Sequence, residues 1–308
     1  MVAYLFAGQG SQYIGMGKDF YDSFPESRAV FDRADKTLGF ALSELCFAGP
    51  IEELTKTNNS QPAILTVSIA ALEAFRASIQ YPVPSTPSFT AGLSLGEYSA
   101  LVAAGVISFE DAVYLTRKRG QFMEDQAQDK PGKMLTLIGL DLATVKHICA
   151  QAHTEIANVN CPGQIVISGG LKEIDSAGVL AKDRGAKMAV PLAVSGAFHS
   201  SFMQGAGSRL AAELSKIKLN LAKIPVIFNV TAKPAVSIEE IKDNLIRQVS
   251  GSVLWEDSMR FMLGQGVNEF FEFGPGKVLK GLMRRIDINA QVATVESKED
   301  IEKFAGSR

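Results

Sequence analysis

The pentapeptide Gly92-Leu93-Ser94-Leu95-Gly96 constrains the fold of this chain more than any other feature, because of what flanks it. Residues 89–93 read as a short apolar strand and the residues after Ser94 as a helix, so the serine stands on a tight strand-to-helix turn. The glycines let neighbouring backbone pass close to a strained serine. Its hydroxyl is left at a helix N-terminus, where the dipole and free N–H groups favour an oxyanion. Ser94 is therefore a candidate nucleophile; the plainer alternative is a glycine-rich turn whose serine caps a helix.

The rest of the chain alternates in a compatible way. A strand at 2–6 runs into the loop Gly8-Gln9-Gly10-Ser11-Gln12, and helical patterns follow at 27–37, 51–56 and 60–77, the last with Pro62 in a tolerated first-turn position. A loop is expected at 82–87 and a helix at 109–127. Strand, helix, strand, strand, helix and strand are then expected at 133–140, 143–152, 155–160, 164–168, 172–183 and 187–194, the order of a ferredoxin-like split βαβ unit. Further on come a strand at 224–230, a helix at 237–249 opened by a Ser237/Glu240 capping box, a helix at 255–263, a strand at 269–273 and a helix at 277–285. The fold class expected is α/β: a large α/β-hydrolase-like domain with a parallel sheet (1–127 and 197–308) and an inserted small ferredoxin-like domain (128–196).

Composition removes several functions. With 31 Lys+Arg against 33 Asp+Glu and a net charge of -2, no global positive field exists to bind nucleic acid. The longest apolar run, 100–107, is far short of the roughly 20 residues a membrane span needs. Cys46, Cys149 and Cys161 are scattered and form no C-x-x-C pair, and residues 1–6 lack a basic leader, so a cytoplasmic, reducing setting is expected.

A serine nucleophile needs a base, and the chain holds only three histidines, His147, His153 and His199. His199 lies in a loop-like stretch at 194–203, where the small domain returns to the large one. His147 and His153 belong to a small-domain helix; with Cys149 they are a poor metal site, since no acidic cluster accompanies them, and surface or packed helix residues are the plainer reading. The Gly8-Gln9-Gly10 loop lacks the third glycine of a dinucleotide fingerprint and the Lys-Ser/Thr of a P-loop, which disfavours both nucleotide readings.

Six stretches together carry a resemblance: Phe6-Ala7-Gly8-Gln9-Gly10-Ser11-Gln12, the elbow through Glu97, Arg119-Gly120-Gln121-Phe122-Met123, and the stretches 158–168, 196–203 and 274–279. In order and spacing they resemble the malonyl-CoA:acyl carrier protein transacylases, acyltransferases of fatty-acid and polyketide synthesis, across essentially the whole chain. Without that resemblance the reading stops at a serine acyl-transfer or ester-hydrolysing enzyme.

The resemblance implies that Ser94 is acylated by malonyl-CoA, with His199 as general base and acid and the Gln248 backbone carbonyl orienting the ring. It also implies an oxyanion hole from the N–H groups of Leu95 and Gln9. Arg119 would grip the malonyl carboxylate bidentately, Gln61 would line the same pocket, and Asn160 would contact the pantetheine arm, a strand-end amide satisfying backbone being the equal alternative for Asn160. For Arg117 and Lys118 a solvated helix face is the preferred reading. The substrates implied are a CoA thioester and a phosphopantetheinyl acyl carrier protein, with no metal or further cofactor, no membrane and no nucleic acid, in a monomer.

One departure is Leu93, where the family usually has histidine; Phe198 resembles the malonyl-preferring form of its motif. Lys277, Lys280, Arg284 and Arg285 are candidates for attracting an acidic carrier, or simply a solvated face. Two other functions compete: a stand-alone malonyl acyltransferase serving a polyketide synthase, and a serine thioesterase or acyl hydrolase. Arg119 and the lack of an HGGG-type loop argue against the hydrolase. A silent carrier-binding module is disfavoured by the joint presence of Ser94, His199 and Arg119.

Overall fold

The computed structural model describes residues 1–78 and 86–306, so that 82–85 of the expected loop at 82–87 lie outside the described residues. In chain order the elements run β1 (Val2–Phe6), α1 (Lys18–Ser23), α2 (Pro25–Leu38), α3 (Leu42–Ala48), α4 (Ile51–Thr55), α5 (Thr57–Ser78), β2 (Phe89–Gly92), α6 (Gly96–Ala103) and α7 (Phe109–Asp129). Next come β3 (Gly132–Ile138), α8 (Leu142–Ala152), β4 (Glu155–Cys161), β5 (Gln164–Gly170), α9 (Leu171–Asp183), β6 (Met188–Pro191) and, after a 3₁₀ turn at Ser201–Met203, α10 (Gln204–Leu214). The chain closes with β7 (Val226–Ile227), α11 (Ile238–Ser250), α12 (Trp255–Gly264), β8 (Glu269–Phe273), α13 (Val278–Ile286), β9 (Gln291–Val295) and α14 (Lys298–Gly306). No described helix is long and apolar enough to cross a membrane.

These elements form two compact units. The first comprises Met1–Gly120, Ile217–Ile227 and Met262–Arg308. Its five-stranded sheet has the order β7-β2-β1-β8-β9 and every pairing is parallel. All five residues of β1 are buried, as a central strand covered on both faces requires. Tyr4 meets Phe273 with ring centroids 4.9 Å apart, Phe6 stacks on Phe273 at 5.7 Å, and Phe75 of α5 packs against Phe271 and Phe273 at 5.2 Å.

α5 begins at Thr57, earlier than its sequence suggests, which places Pro62 inside the helix. Proline has no N–H to give the carbonyl four residues back. Here Arg117 Nη1 donates to that carbonyl, Asn58 O, at 2.8 Å, and it also bonds Asn59 Oδ1. Arg117 further lies over the Phe40 ring at 5.2 Å, so this residue of α7 supports the start of α5 and is not the solvated position expected for it.

The second unit comprises Gln121–Lys216 and Phe228–Phe261. Its four-stranded sheet has the order β4-β5-β3-β6, antiparallel throughout, the arrangement of a ferredoxin-like βαββαβ unit with α8 and α9. Leu135, Leu137, Val145, Ile148, Ile167 and Ile174 are among the side chains of its core. The unit holds more chain than the expected 128–196, for identifiable reasons. Val253 pairs with Asn158 of β4, Ala197 packs on Gly132 of β3, and α10 packs on α11 with Ile246 O against Gly207.

Two expected strands are shorter than their apolar runs. β7 stops at Ile227 because Phe228 O accepts from Ala232 N at 2.8 Å and Phe228 N donates to Lys233 O at 3.1 Å in a turn. β6 ends at Pro191 within the expected 187–194.

Candidate active site

The glycines around Ser94 are demanded by packing. A Cβ on Gly92 would stand 1.9 Å from Gly96 C, and one on Gly96 would stand 2.2 Å from Phe6 O, so helix α6 leaves β2 in direct backbone contact with β1. Ser94 itself sits at φ 51, in the left-handed region, a conformation that costs a non-glycine residue about 1–2 kcal/mol. Gly96 N then donates to Leu93 O at 2.9 Å and Glu97 N to Ser94 O at 3.1 Å, closing the first turn of α6. The serine is thus held in the strained elbow that its sequence motif implies.

The two backbone donors expected to serve an oxyanion lie on adjoining segments. Leu95 packs with Ala7 and Ile64, and a Cβ on Gly8 would stand 2.5 Å from Leu93 O, so the loop after β1 runs directly beside the elbow. The N–H groups of Gln9 and Leu95 donate to no protein acceptor among the described residues. Ser11 Oγ donates to Gly8 O at 2.8 Å and fixes the loop from its far side.

Arg119 is drawn into this centre. The buried stripe of α7 runs through Ala112, Leu115, Thr116, Arg119, Phe122 and Met123, at helical spacing, so the arginine occupies a core position. Gly120 lets α7 approach: a Cβ there would stand 2.5 Å from Thr57 O. Arg119 Nη1 donates to Gln61 Oε1 at 2.8 Å and Nη2 to Ser94 Oγ at 3.2 Å. Gln61 Nε2 reaches Gln9 Oε1 at 3.5 Å, and Gln9 Nε2 reaches Thr57 Oγ1 at 3.4 Å. The structure therefore gathers Gln9, Gln61, Ser94, Leu95 and Arg119 into one cluster.

Burial pulls the Arg119 pKa below its ordinary value, opposed by Tyr98 and Glu97. Burial likewise pushes the Tyr98 phenol well above its usual range, opposed by Arg119, whose guanidinium lies 5.8 Å from the ring centroid. A buried guanidinium hydrogen-bonded to neutral acceptors is chemically a receptor for an anion, and a planar one suits a carboxylate. Sequence reasoning missed Tyr98, which is buried in the first turn of α6.

His199 and Gln248 meet in the second unit. The His199 ring is buried and its Nδ1 lies 2.8 Å from Gln248 O. A carbonyl only accepts, so Nδ1 carries the proton and Nε2 keeps its lone pair in the neutral ring. Gln248 lies in the last turn of α11, whose carbonyls have no intrahelical partner and carry the negative end of the dipole. That end favours the ring when it becomes cationic. His199 has φ 56, and Ser200 Oγ donates to Ala197 O at 2.6 Å beside it.

Asn160 lies buried on β4, its Oδ1 without a hydrogen-bond partner among the described residues. His147 and His153 are exposed, while Cys149 of the same helix is buried. On α13, Leu279, Leu282, Met283 and Ile286 face inward, and Lys277, Lys280, Arg284 and Arg285 are exposed.

Comparison with known proteins bears directly on these clusters. The family model described as "Acyl transferase domain" matches residues 3–269. The malonyl CoA-acyl carrier protein transacylase of Bacillus subtilis is 47% identical over 306 residues, which cover 98% of this chain and 95% of the relative. An acyl-carrier-protein S-malonyltransferase structure from Bartonella henselae superposes with a TM-score of 0.94 at 41% identity, covering 99% of each chain. A malonyl-transacylase solved in complex with its type II polyketide synthase acyl-carrier protein superposes with a TM-score of 0.95 at 38% identity, covering 100% of this chain and 99% of that one. With Ser94 on its strained elbow, a buried arginine bonded to it and relatives of this kind along its whole length, the chain belongs to the acyl transferase family, among the malonyl CoA-acyl carrier protein transacylases.

Proposed function

We propose that this protein transfers a malonyl group from malonyl-CoA to the phosphopantetheine thiol of an acyl carrier protein, through a malonyl ester on Ser94, for fatty-acid synthesis in the cytoplasm. The observation that carries the substrate is the 3.2 Å hydrogen bond from Arg119 to Ser94 Oγ. A buried cation beside the nucleophile suits an acyl group that brings its own negative charge there. Malonyl has its carboxylate one methylene from the reacting carbonyl, within reach of such a guanidinium; acetyl brings no carboxylate to it. The names of the relatives, malonyl CoA-acyl carrier protein transacylase and acyl-carrier-protein S-malonyltransferase, support the same reading.

In the proposed first half-reaction, His199 Nε2 takes the Ser94 proton as Oγ attacks the thioester carbonyl. The N–H groups of Leu95 and Gln9 receive the oxyanion. Collapse of the tetrahedral intermediate breaks the C–S bond, and CoA leaves as its thiol with the proton from His199. The second half runs in the opposite sense: His199 deprotonates the carrier thiol, which attacks the malonyl ester and frees Ser94. Arg119 holds the carboxylate throughout, Gln61 orients Arg119, and Asn160 offers its amide to the pantetheine arm. This chemistry needs no metal or redox group. The three buried cysteines, Cys46, Cys149 and Cys161, form no disulfide, in keeping with a reducing compartment.

The test is intact-mass measurement after brief exposure to malonyl-CoA and, separately, to acetyl-CoA. A malonyl adduct that Ser94→Ala removes is expected, and its absence overturns the mechanism. Delivery of that group to carrier protein faster than to water separates a transferase from a thioesterase.

A further inference from the structure

We infer that Glu155 is a positioning residue for His199, acting from a different element through Ser201. The inference rests on the proposed role of His199 as the base.

The stretch that carries His199 is strained and is tied at both ends. Upstream, Ala197 packs on Gly132, Gly196 packs on Ala127, and Phe198 N donates to Gly196 O at 3.0 Å. Downstream, the chain enters the 3₁₀ turn at Ser201 and passes straight into α10. Neither start has a local cap: Ser200 and Met203, at the two capping positions, make no side-chain cap bond. The Ser200 hydroxyl that would normally serve is turned back to Ala197 O.

Glu155, at the first position of β4, supplies what is missing. Its two carboxylate oxygens each lie 3.1 Å from Ser201 N, and Oε1 accepts from Ser201 Oγ at 2.5 Å. A carboxylate on an orphan N–H at the start of a helical segment is favoured by both hydrogen bonding and the dipole. The anchored residue is two positions beyond His199, which is held at φ 56. The α10 that follows packs on α11, the helix that offers Gln248 O to the ring. One carboxylate thus fixes the end of the strained stretch that places the imidazole. A left-handed histidine persists only where its surroundings over-determine it, and Glu155 is the carboxylate that ties the downstream end of this stretch to β4.

The experiment measures single-turnover malonylation of Ser94 by intact mass in the full chain, together with the NMR signal of the His199 Nδ1 proton, which is assignable because the chain has only three histidines. Glu155→Ala is expected to slow malonylation about tenfold with KM for malonyl-CoA unchanged, the scale set by a small misplacement of a reacting group. It is also expected to shift or broaden the Nδ1 proton signal. Glu155→Gln, which keeps an acceptor for Ser201, recovers most of the rate. Ser201→Ala added to Glu155→Ala costs nothing further, because both act through one contact. A wild-type rate and an unmoved Nδ1 signal in Glu155→Ala overturn the inference, and so do fully additive losses in the double variant. If Glu155→Ala does not fold, Ser201→Ala, which removes the 2.5 Å bond to Glu155 Oε1, carries the same comparison of rate and Nδ1 signal. His199→Ala separates this inference from the reading beneath it. Malonylation that survives His199→Ala removes the base itself, whereas loss there with normal Glu155→Ala removes only the positioning role.

Discussion

His199 Nδ1 lies 2.8 Å from the main-chain oxygen of Gln248, so the imidazole is oriented by a group with no side chain to delete and no charge to titrate. In a carboxylate-oriented triad, converting that carboxylate to an amide costs about 10⁴-fold. Gln248→Met keeps the carbonyl and approximately fills the same space, and is expected to hold the rate of Ser94 malonylation within about threefold. A loss approaching that of a broken triad would show that the Gln248 side chain takes part.

Arg119 should decide between substrates. Arg119→Ala is expected to lower malonyl transfer by about 100-fold, the scale for losing a buried charged partner, while acetyl transfer is spared. Arg119→Lys should recover little, since an ammonium cannot bond Gln61 and a carboxylate in the same fork geometry. Intact-mass competition between malonyl-CoA and acetyl-CoA reads the ratio; an unchanged ratio removes Arg119 from substrate recognition.

The elbow should store measurable strain. Ser94→Gly and Ser94→Ala both lose the hydroxyl, so their difference isolates the φ 51 backbone. Glycine is expected to be the more stable by about 1 kcal/mol in urea unfolding. Equal midpoints would mean that the turn is relaxed. Gly96→Ala, whose Cβ would stand 2.2 Å from Phe6 O, should fail to accumulate as folded protein.

Which parts of this architecture the sequence reveals depends on how far away the cause of each lies. β1 and β8 appear at their expected limits because apolar runs and their flanking residues are local. The helix at 237–249 is equally local: Ser237 Oγ accepts from Glu240 N at 3.1 Å, and Glu240 reaches back to Val236 N at 2.7 Å. α10 has no local start signal: Met203 at its capping position makes no side-chain bond, and the Glu155 that holds the turn before it stands 46 positions from Ser201. α5 starts early because Arg117, 59 positions on, replaces the hydrogen that Pro62 lacks.

The site divides in the same manner. Ser94 is legible because its glycines are a local necessity, and Arg119 stands out as a charge within an apolar stripe. The pairing of Arg119 with Gln61 across 58 positions has no local signature. A main-chain acceptor such as Gln248 O leaves no mark on residue type; only the family resemblance pointed to it.

Stability should depend on pH through Glu272. This buried carboxylate on β8 accepts from Leu279 N and Lys280 N, both at 2.8 Å, at the start of α13. Burial pushes its pKa up from 4.5 to about 7, against those two hydrogen bonds. Between these values the folded chain holds a proton that the unfolded chain has released. Stability from this group is therefore complete below pH 4.5, declines as pH rises and levels off above about 7. Glu272→Gln should flatten the profile by on the order of 2 kcal/mol across that window, read by urea unfolding at a series of pH values. A profile identical to wild type would show that the carboxylate is ionised throughout.

The order β7-β2-β1-β8-β9 has a consequence for how the protein is made. β1 leaves the ribosome first, yet one of its two neighbours, β8, is Glu269–Phe273. During translation that strand waits with one edge unpaired while the βαββαβ segment, whose strands all fall within 132–191, has everything it needs to pair. Synthesis therefore favours the antiparallel sheet first and completes the serine-bearing one last. A stalled or truncated chain would expose the apolar edge of β1 to chaperones or to aggregation.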